Sequence, residues 1–133
     1  MKDNRELGIV VYGATGFTGR LVAEYLNKQY GVNGEVVWAM AGRSLSKLEQ
    51  VRGEMNISAD VPLVVADASD IASVKAMVER ASVICTTVGP YQLYGSELVE
   101  ACAAAGTDYV DLCGEPGWMH KMIGAHSDAA RAS

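Results

Sequence analysis

The sequence has little of what marks the special classes of protein. Its three cysteines, Cys85, Cys102 and Cys113, lie dispersed in apolar or helix-like stretches. An odd, unclustered set argues against a disulfide framework and fits a reducing cytoplasm. Cationic excess is absent: 11 lysines and arginines face 16 aspartates and glutamates, a net charge of -5. Nucleic acid and anionic membrane are therefore not expected partners. No apolar run approaches the roughly 20 residues that span a bilayer. The charged start, residues 1–6, has no signal-peptide pattern. Cys113, His120 and His126 fit no zinc spacing, so no metal is expected. A Tyr-x-x-x-Lys pair is missing too, because Tyr25 and Lys28 are one residue too close and fall on the first helix. Repeats, low-complexity tracts and long linkers are also missing.

What remains is an ordinary globular composition, half apolar and one fifth charged, at a length that suits one domain over residues 1–133. Strand-like and helix-like segments alternate. Residues 7–12 (LGIVVY) are β-branched and apolar throughout, as in a strand buried on both faces. Phe17, Leu21, Val22, Tyr25 and Leu26 then recur at helical spacing, and Gly31 stops the helix. A second buried strand covers 35–41 (EVVWAMA), and Ser46 with Glu49 resembles a capping box for the second helix. A third strand covers 62–66, and Asp70 caps a helix with Ile71, Val74 and Val78 inward. A fourth strand covers 81–88, followed by a helix from Ser96 to before Gly106 and a fifth strand at 107–112. Pro116 opens a last helix through Trp118, Met122 and Ile123.

Five successive β-α units predict an α/β, Rossmann-type, doubly wound parallel sheet with strand order 3-2-1-4-5. The fold's usual sixth strand has no counterpart, so the expectation is a chain truncated before that strand and before a second domain. An unpaired sheet edge of that kind suggests homodimerisation as one outcome.

The first β-α turn reads Gly13-Ala14-Thr15-Gly16-Phe17-Thr18-Gly19. A helix amino terminus offers free N–H groups and about half a positive charge, which suits the pyrophosphate of a dinucleotide. Gly13 allows the tight turn, Gly16 lets phosphate approach the backbone, and Gly19 lets the helix pack on the sheet. Thr15 and Thr18 can donate hydroxyl hydrogen bonds. Three glycines alone are a weak signal; their place between a buried strand and a helix strengthens it.

The second strand ends Met40-Ala41-Gly42-Arg43-Ser44, without the carboxylate that binds an NAD ribose. Arg43, with Ser44 and Lys47, suits a 2′-phosphate and therefore NADP in preference to NAD, unless Arg43 is simply a solvated residue entering the helix. Asp67, ending strand three, either meets the adenine edge or caps the next helix. Gly89, Pro90 and Tyr91 end strand four where the nicotinamide half enters this fold. Tyr91 or Tyr94 can flank that ring, or both can be packing residues beside an ordinary turn. Asp111 and Glu115 can transfer a proton or orient substrate, or Glu115 can cap the helix beside Pro116. No catalytic residue is assigned.

The combination GATGFTG, AGRS, VGPYQLYG and ACAAAGTDYVDLCGE resembles the NADP-binding domain of saccharopine dehydrogenase-like oxidoreductases, trans-acting enoyl reductases among them. The likeness runs from Ile9 to about Ala130. It implies that Gly13, Thr15, Gly16, Phe17, Thr18 and Gly19 bind pyrophosphate, Arg43 and Ser44 the 2′-phosphate, and Gly89, Pro90 and Tyr91 the nicotinamide half. It also implies a small-molecule substrate held by a further domain, and hydride transfer by the whole protein. The competing expectation is a non-catalytic dinucleotide-binding redox sensor resembling NmrA-type regulators, motivated by the lack of a clear proton donor.

Overall fold

Five parallel strands, β1 (Leu7–Tyr12), β2 (Trp38–Gly42), β3 (Leu63–Val65), β4 (Ala81–Thr86) and β5 (Asp108–Val110), make one sheet in the order β3-β2-β1-β4-β5. The structure is a computed structural model that describes residues 4–133. Of the charged start, residues 1–3 lie outside the described residues. Among the described residues six helices flank the sheet: α1 (Phe17–Tyr30), α2 (Leu45–Glu54), α3 (Ile71–Arg80), α4 (Tyr91–Tyr94), α5 (Ser96–Ala105) and α6 (Pro116–Ala132). The strand order and the Rossmann-type α/β class match the reading of the sequence. Among the described residues, no helix is long and apolar enough to cross a membrane.

The central strands β1 and β2 are covered on both faces. Val10 and Tyr12 of β1 point into one core with Val74, Met77 and Val78 of α3 and Leu98, Ala101 and Cys102 of α5. Val11 points the other way, into a core with Ala23 and Leu26 of α1 and Leu48 and Val51 of α2. This two-sided burial explains why β1 reads as a continuous apolar run and not as an alternation. A third, smaller cluster joins Tyr91, Trp118 and Met122 where α6 crosses α4 and α5.

Several local expectations are corrected. α1 buries Gly19, Ala23 and Leu26, whereas Phe17, Leu21 and Tyr25 are 83%, 53% and 60% exposed. The helix lies close to the sheet, so small residues face inward and the bulky apolar ones turn out. Ser44, not Ser46, caps α2, accepting from the Lys47 N–H at 3.3 Å. Ser46 already lies within the helix. Asp70 caps α3 as expected, but Ile71 is exposed, and so is Ile123 on α6. Ile71 is the first residue of α3, at the helix end, and Ile123 lies one position beyond the buried Met122. β5 is shorter than expected because Asp111 accepts the Cys113 N–H at 2.9 Å and turns the chain. The four-residue α4, with no periodicity to display, was not foreseen.

Arg5 joins parts of the fold that are distant in sequence. Its guanidinium donates to the carbonyls of Val78 and Glu79 at 3.0 and 2.7 Å, Ala81 at 3.3 Å and Ala105 at 2.6 Å, and to the Thr107 hydroxyl at 3.1 Å. Helix carboxyl ends carry unpaired carbonyls and partial negative charge, so one cation between α3 and α5 serves both.

Candidate functional site

β1 lies between β2 and β4, so the connections leaving β1 and β4 diverge on opposite sides of the sheet. At such a switch point a crevice opens beyond the strands' carboxyl ends. Here it is a cleft of about 660 Å³, walled by Gly13, Thr15 and Gly16 after β1, Arg43 after β2, Asp67 after β3, Thr87 to Gly89 after β4, and Leu93, Tyr94 and Glu97.

The three glycines of the first turn have three distinct physical roles. Gly13 sits at φ +89°, in the left-handed region, and a Cβ there would lie 2.7 Å from the Thr87 hydroxyl oxygen. At Gly19 a Cβ would lie 1.9 Å from the Gly13 carbonyl oxygen. Both are requirements of the fold. Gly16 differs: its Cβ would meet only the Gly13 carbonyl oxygen, at an ordinary 3.5 Å. The fold therefore has room for a side chain at 16, and a side chain there would fill the space beside the amino end of α1.

That helix end is open. Gly16, the N-cap, contributes no side-chain hydrogen bond, and the first turn holds no acidic residue. The Arg20 N–H donates to the Gly16 carbonyl at 2.9 Å, so the N–H groups of Phe17, Thr18 and Gly19 precede the helical ladder. The Arg20 side chain donates to the Thr15 carbonyl at 3.1 Å and braces the turn. Free amides, positive dipole end and vacant Cβ space together suit a phosphate group.

Arg43 is exposed and, among the described residues, forms no hydrogen bond or ion pair. It is available to an incoming anion. Ser44 is committed to capping α2 and also meets Ser46 Oγ at 3.2 Å. Asp67 does not cap α3; that is the work of Asp70. Asp67 Oδ1 accepts the Ser69 N–H at 3.0 Å and the Ser69 hydroxyl at 2.8 Å. These bonds hold its carboxyl below the usual carboxylate range, and the Arg43 charge adds to the effect. Tyr12, at the end of β1, also faces the cleft, where burial pushes its phenol up and the Asp67 carboxylate pushes it further. It remains a neutral donor at ordinary pH.

On the β4 side, Thr87 Oγ1 donates to the Tyr12 carbonyl at 3.3 Å, holding the two connections together. Tyr91 is buried, and Leu93 and Tyr94 line the cleft in its place. The Tyr91 hydroxyl donates to the Thr86 carbonyl at 3.2 Å, and its ring stacks on Trp118 at 5.7 Å. Burial is the main cause that raises its phenol pKa. Glu115 makes no side-chain bond to its own helix, against the capping expectation; it caps α4 instead, accepting the Tyr91 and Gln92 N–H groups at 2.8 and 3.1 Å. Asp111 is occupied as well, accepting the Tyr109 hydroxyl at 2.6 Å.

Of the residues singled out in the sequence, Gly13, Thr15, Gly16, Arg43, Asp67, Gly89 and Tyr94 wall the cleft. Phe17, Thr18, Gly19, Ser44, Pro90 and Tyr91 do not. Phe17, Thr18 and Gly19 form the first turn of α1, directly after the cleft residue Gly16, while Ser44 and Tyr91 hold neighbouring elements in place. The sequence reading passed over Tyr12, Thr87, Leu93 and Glu97. Tyr12 and Thr87 stand at strand carboxyl ends beside the switch point, a signal that was present. Leu93 and Glu97 depend on how α4 meets α5, for which no local signal exists. A larger groove, about 770 Å³, follows β5 between α5 and α6 and shares no residue with the cleft.

Comparison with known proteins gives a consistent picture. Residues 9–133 match the family model described as saccharopine dehydrogenase NADP binding domain. The chain is 54% identical over 128 residues to a trans-acting enoyl reductase of Mycobacterium ulcerans, covering 95% of this chain and 30% of that protein. It is 48% identical over 132 residues to the trans-acting enoyl reductase of Mycobacterium leprae, covering 98% of this chain and 31% of that protein. Apo saccharopine dehydrogenase (L-Glu forming) from Saccharomyces cerevisiae superposes with a TM-score of 0.60 at 15% identity, over 79% of this chain and 21% of that one. This last likeness is one of fold. The chain spans about a third of the length of the curated relatives it matches.

Proposed function

The chain belongs to the saccharopine dehydrogenase NADP-binding domain family, and from that premise we propose that it seats NADP(H) across the switch-point cleft as the cofactor domain of a reductase. The pyrophosphate rests on the amino end of α1, received by the N–H groups of Phe17, Thr18 and Gly19 and by the Thr15 and Thr18 hydroxyls, with Gly13 and Gly16 leaving the approach clear. Arg43 takes the 2′-phosphate through its planar donor fork. Ser44 holds the start of α2, and so the neighbourhood of Arg43. Asp67 Oδ1 is engaged by Ser69, which leaves Oδ2 to accept from the adenine amino group. Gly89, Pro90 and Tyr91 shape the nicotinamide side, where Leu93 and Tyr94 present surface to the ring.

The bound nicotinamide supplies or accepts the hydride; the chain's own part is binding, orientation and electrostatics. The substrate is a small molecule held by the part of the longer relatives that this chain does not span. The relatives' names favour an enoyl reductase over a non-catalytic redox sensor.

One observation carries the reading: the fold leaves room for a side chain at Gly16, beside an uncapped helix end, in a cleft also walled by Arg43, which among the described residues makes no hydrogen bond. Thermal denaturation with NADPH, with NADH and without ligand tests it. A ligand that binds the native state at 100 times its Kd adds about 2.7 kcal/mol of stability. NADPH is expected to raise Tm, and NADH at the same concentration to raise it less. Equal shifts would remove the 2′-phosphate assignment, and no shift with either would remove the site.

A further inference from the structure

We propose that Glu115 is a positioning residue for the nicotinamide side of the cleft, holding α4 in place through both carboxylate oxygens. The inference rests on the dinucleotide reading above. Glu115 Oε2 accepts the Tyr91 N–H at 2.8 Å and Oε1 accepts the Gln92 N–H at 3.1 Å. α4 has only four residues, and its N-cap, Pro90, supplies no side-chain acceptor. A single turn of helix does not hold itself together in water. An anion on its first N–H groups gives charge-assisted bonds and matches the positive end of the turn.

The carboxylate is itself held. The Glu115 N–H donates to Cys113 Sγ at 3.3 Å, the Cys113 N–H donates to Asp111 Oδ1 at 2.9 Å, and the Tyr109 hydroxyl donates to Asp111 Oδ2 at 2.6 Å. Residues 109–115 thus carry a chain of hydrogen bonds from β5 to α4. At its far end Tyr91 is fixed through its hydroxyl on Thr86 and its ring on Trp118. Gly89, Leu93 and Tyr94, just before and within the same short helix, wall the cleft, whereas Glu115 does not touch it. Glu115 therefore acts on the cofactor through the wall that α4 provides. The adenosine end, at Arg43 and Asp67, lies after β2 and β3 and, among the described residues, has no hydrogen bond to this chain of contacts.

Binding of two probes to the chain separates the ends of the site. NADPH engages both; adenosine 2′,5′-bisphosphate has the adenosine and the 2′-phosphate but no nicotinamide. Glu115→Ala is expected to raise the NADPH Kd about tenfold and to leave that of the bisphosphate within about twofold. Glu115→Gln, with one acceptor oxygen left, should fall between. The emission of bound NADPH, which senses the surroundings of the ring, should change in the same order. If the alanine variant does not fold, the glutamine variant carries the comparison. Equal weakening of both probes, or unchanged NADPH affinity, overturns the positioning role while leaving the site in place. An unsubstituted chain that binds neither probe overturns the dinucleotide reading, and this inference with it.

Discussion

The carbonyl oxygen of Gly13 occupies the space a Cβ at Gly19 would need, only 1.9 Å from where that atom would sit. The contact sets how closely α1 approaches β1, and so where the amino end of α1 points. Gly16, between them, is under no such constraint. The two glycines should therefore fail differently. Gly19→Ala forces backbone apart and is expected to cost about 3 kcal/mol of stability. Gly16→Val should stay within about 1 kcal/mol of the parent yet lose NADPH and NADH alike. Denaturant unfolding beside calorimetric titration checks both, and a Gly16→Val variant with normal affinity would displace the pyrophosphate from this turn.

Arg43 is expected to distinguish the two nicotinamide cofactors. Removing one charge-assisted partner of the 2′-phosphate costs about 1.5–3 kcal/mol of NADPH binding. Arg43→Ala should show that loss for NADPH and little for NADH in parallel titrations. The same loss for both would mean that Arg43 steadies the cleft in general and does not read the phosphate.

Arg5 should matter to stability out of proportion to its place near the start of the chain. Its guanidinium reaches four carbonyls and a hydroxyl around the ends of α3 and α5. Arg5→Met keeps much of the stem and removes the donors, with an expected loss of about 2 kcal/mol in urea unfolding. Arg5→Lys should recover little of it, since an ammonium cannot span the same fork. A loss within error for both would mean that water replaces these bonds without penalty.

Alkaline pH should weaken the fold. Burial pushes the Cys102 thiol from 9.0 up to about 12, and Cys85, Tyr12, Tyr91 and Tyr109 are raised too. The native state keeps these protons longer than the unfolded chain, so stability is full below the unfolded values and falls as pH rises through them. For Cys102 alone the window runs from about 9 to about 12, with a slope of about 1.4 kcal/mol per pH unit. Unfolding free energies measured from pH 7 to 11 should decline, and Cys102→Ala should flatten the decline. A curve that stays level across that range would contradict this account.

The order of elements, the five strands and the glycine turn were legible in the sequence because each is written over a short stretch. A strand buried on two faces is apolar throughout, and a helix opening on a sheet needs glycine where backbones meet. Arg43 was visible because it stands next to a strand end. The family could be recognised from its motifs for the same local reason.

What the tertiary structure decided are the contacts that close through space. Apolar spacing identifies α1 as a helix without telling how near the sheet it lies, so its inward face was not legible. At close range Gly19 and Ala23 fit and Phe17 does not. Glu115 looked like a cap for its own helix, and only folding brings it to Tyr91, 24 positions away in sequence. Arg5 serves helices that end about 75 and 100 positions later. Hydrogen bonds of that kind depend on distance in space, which a sequence does not display, whereas periodicity and turn chemistry depend on neighbours, which it does.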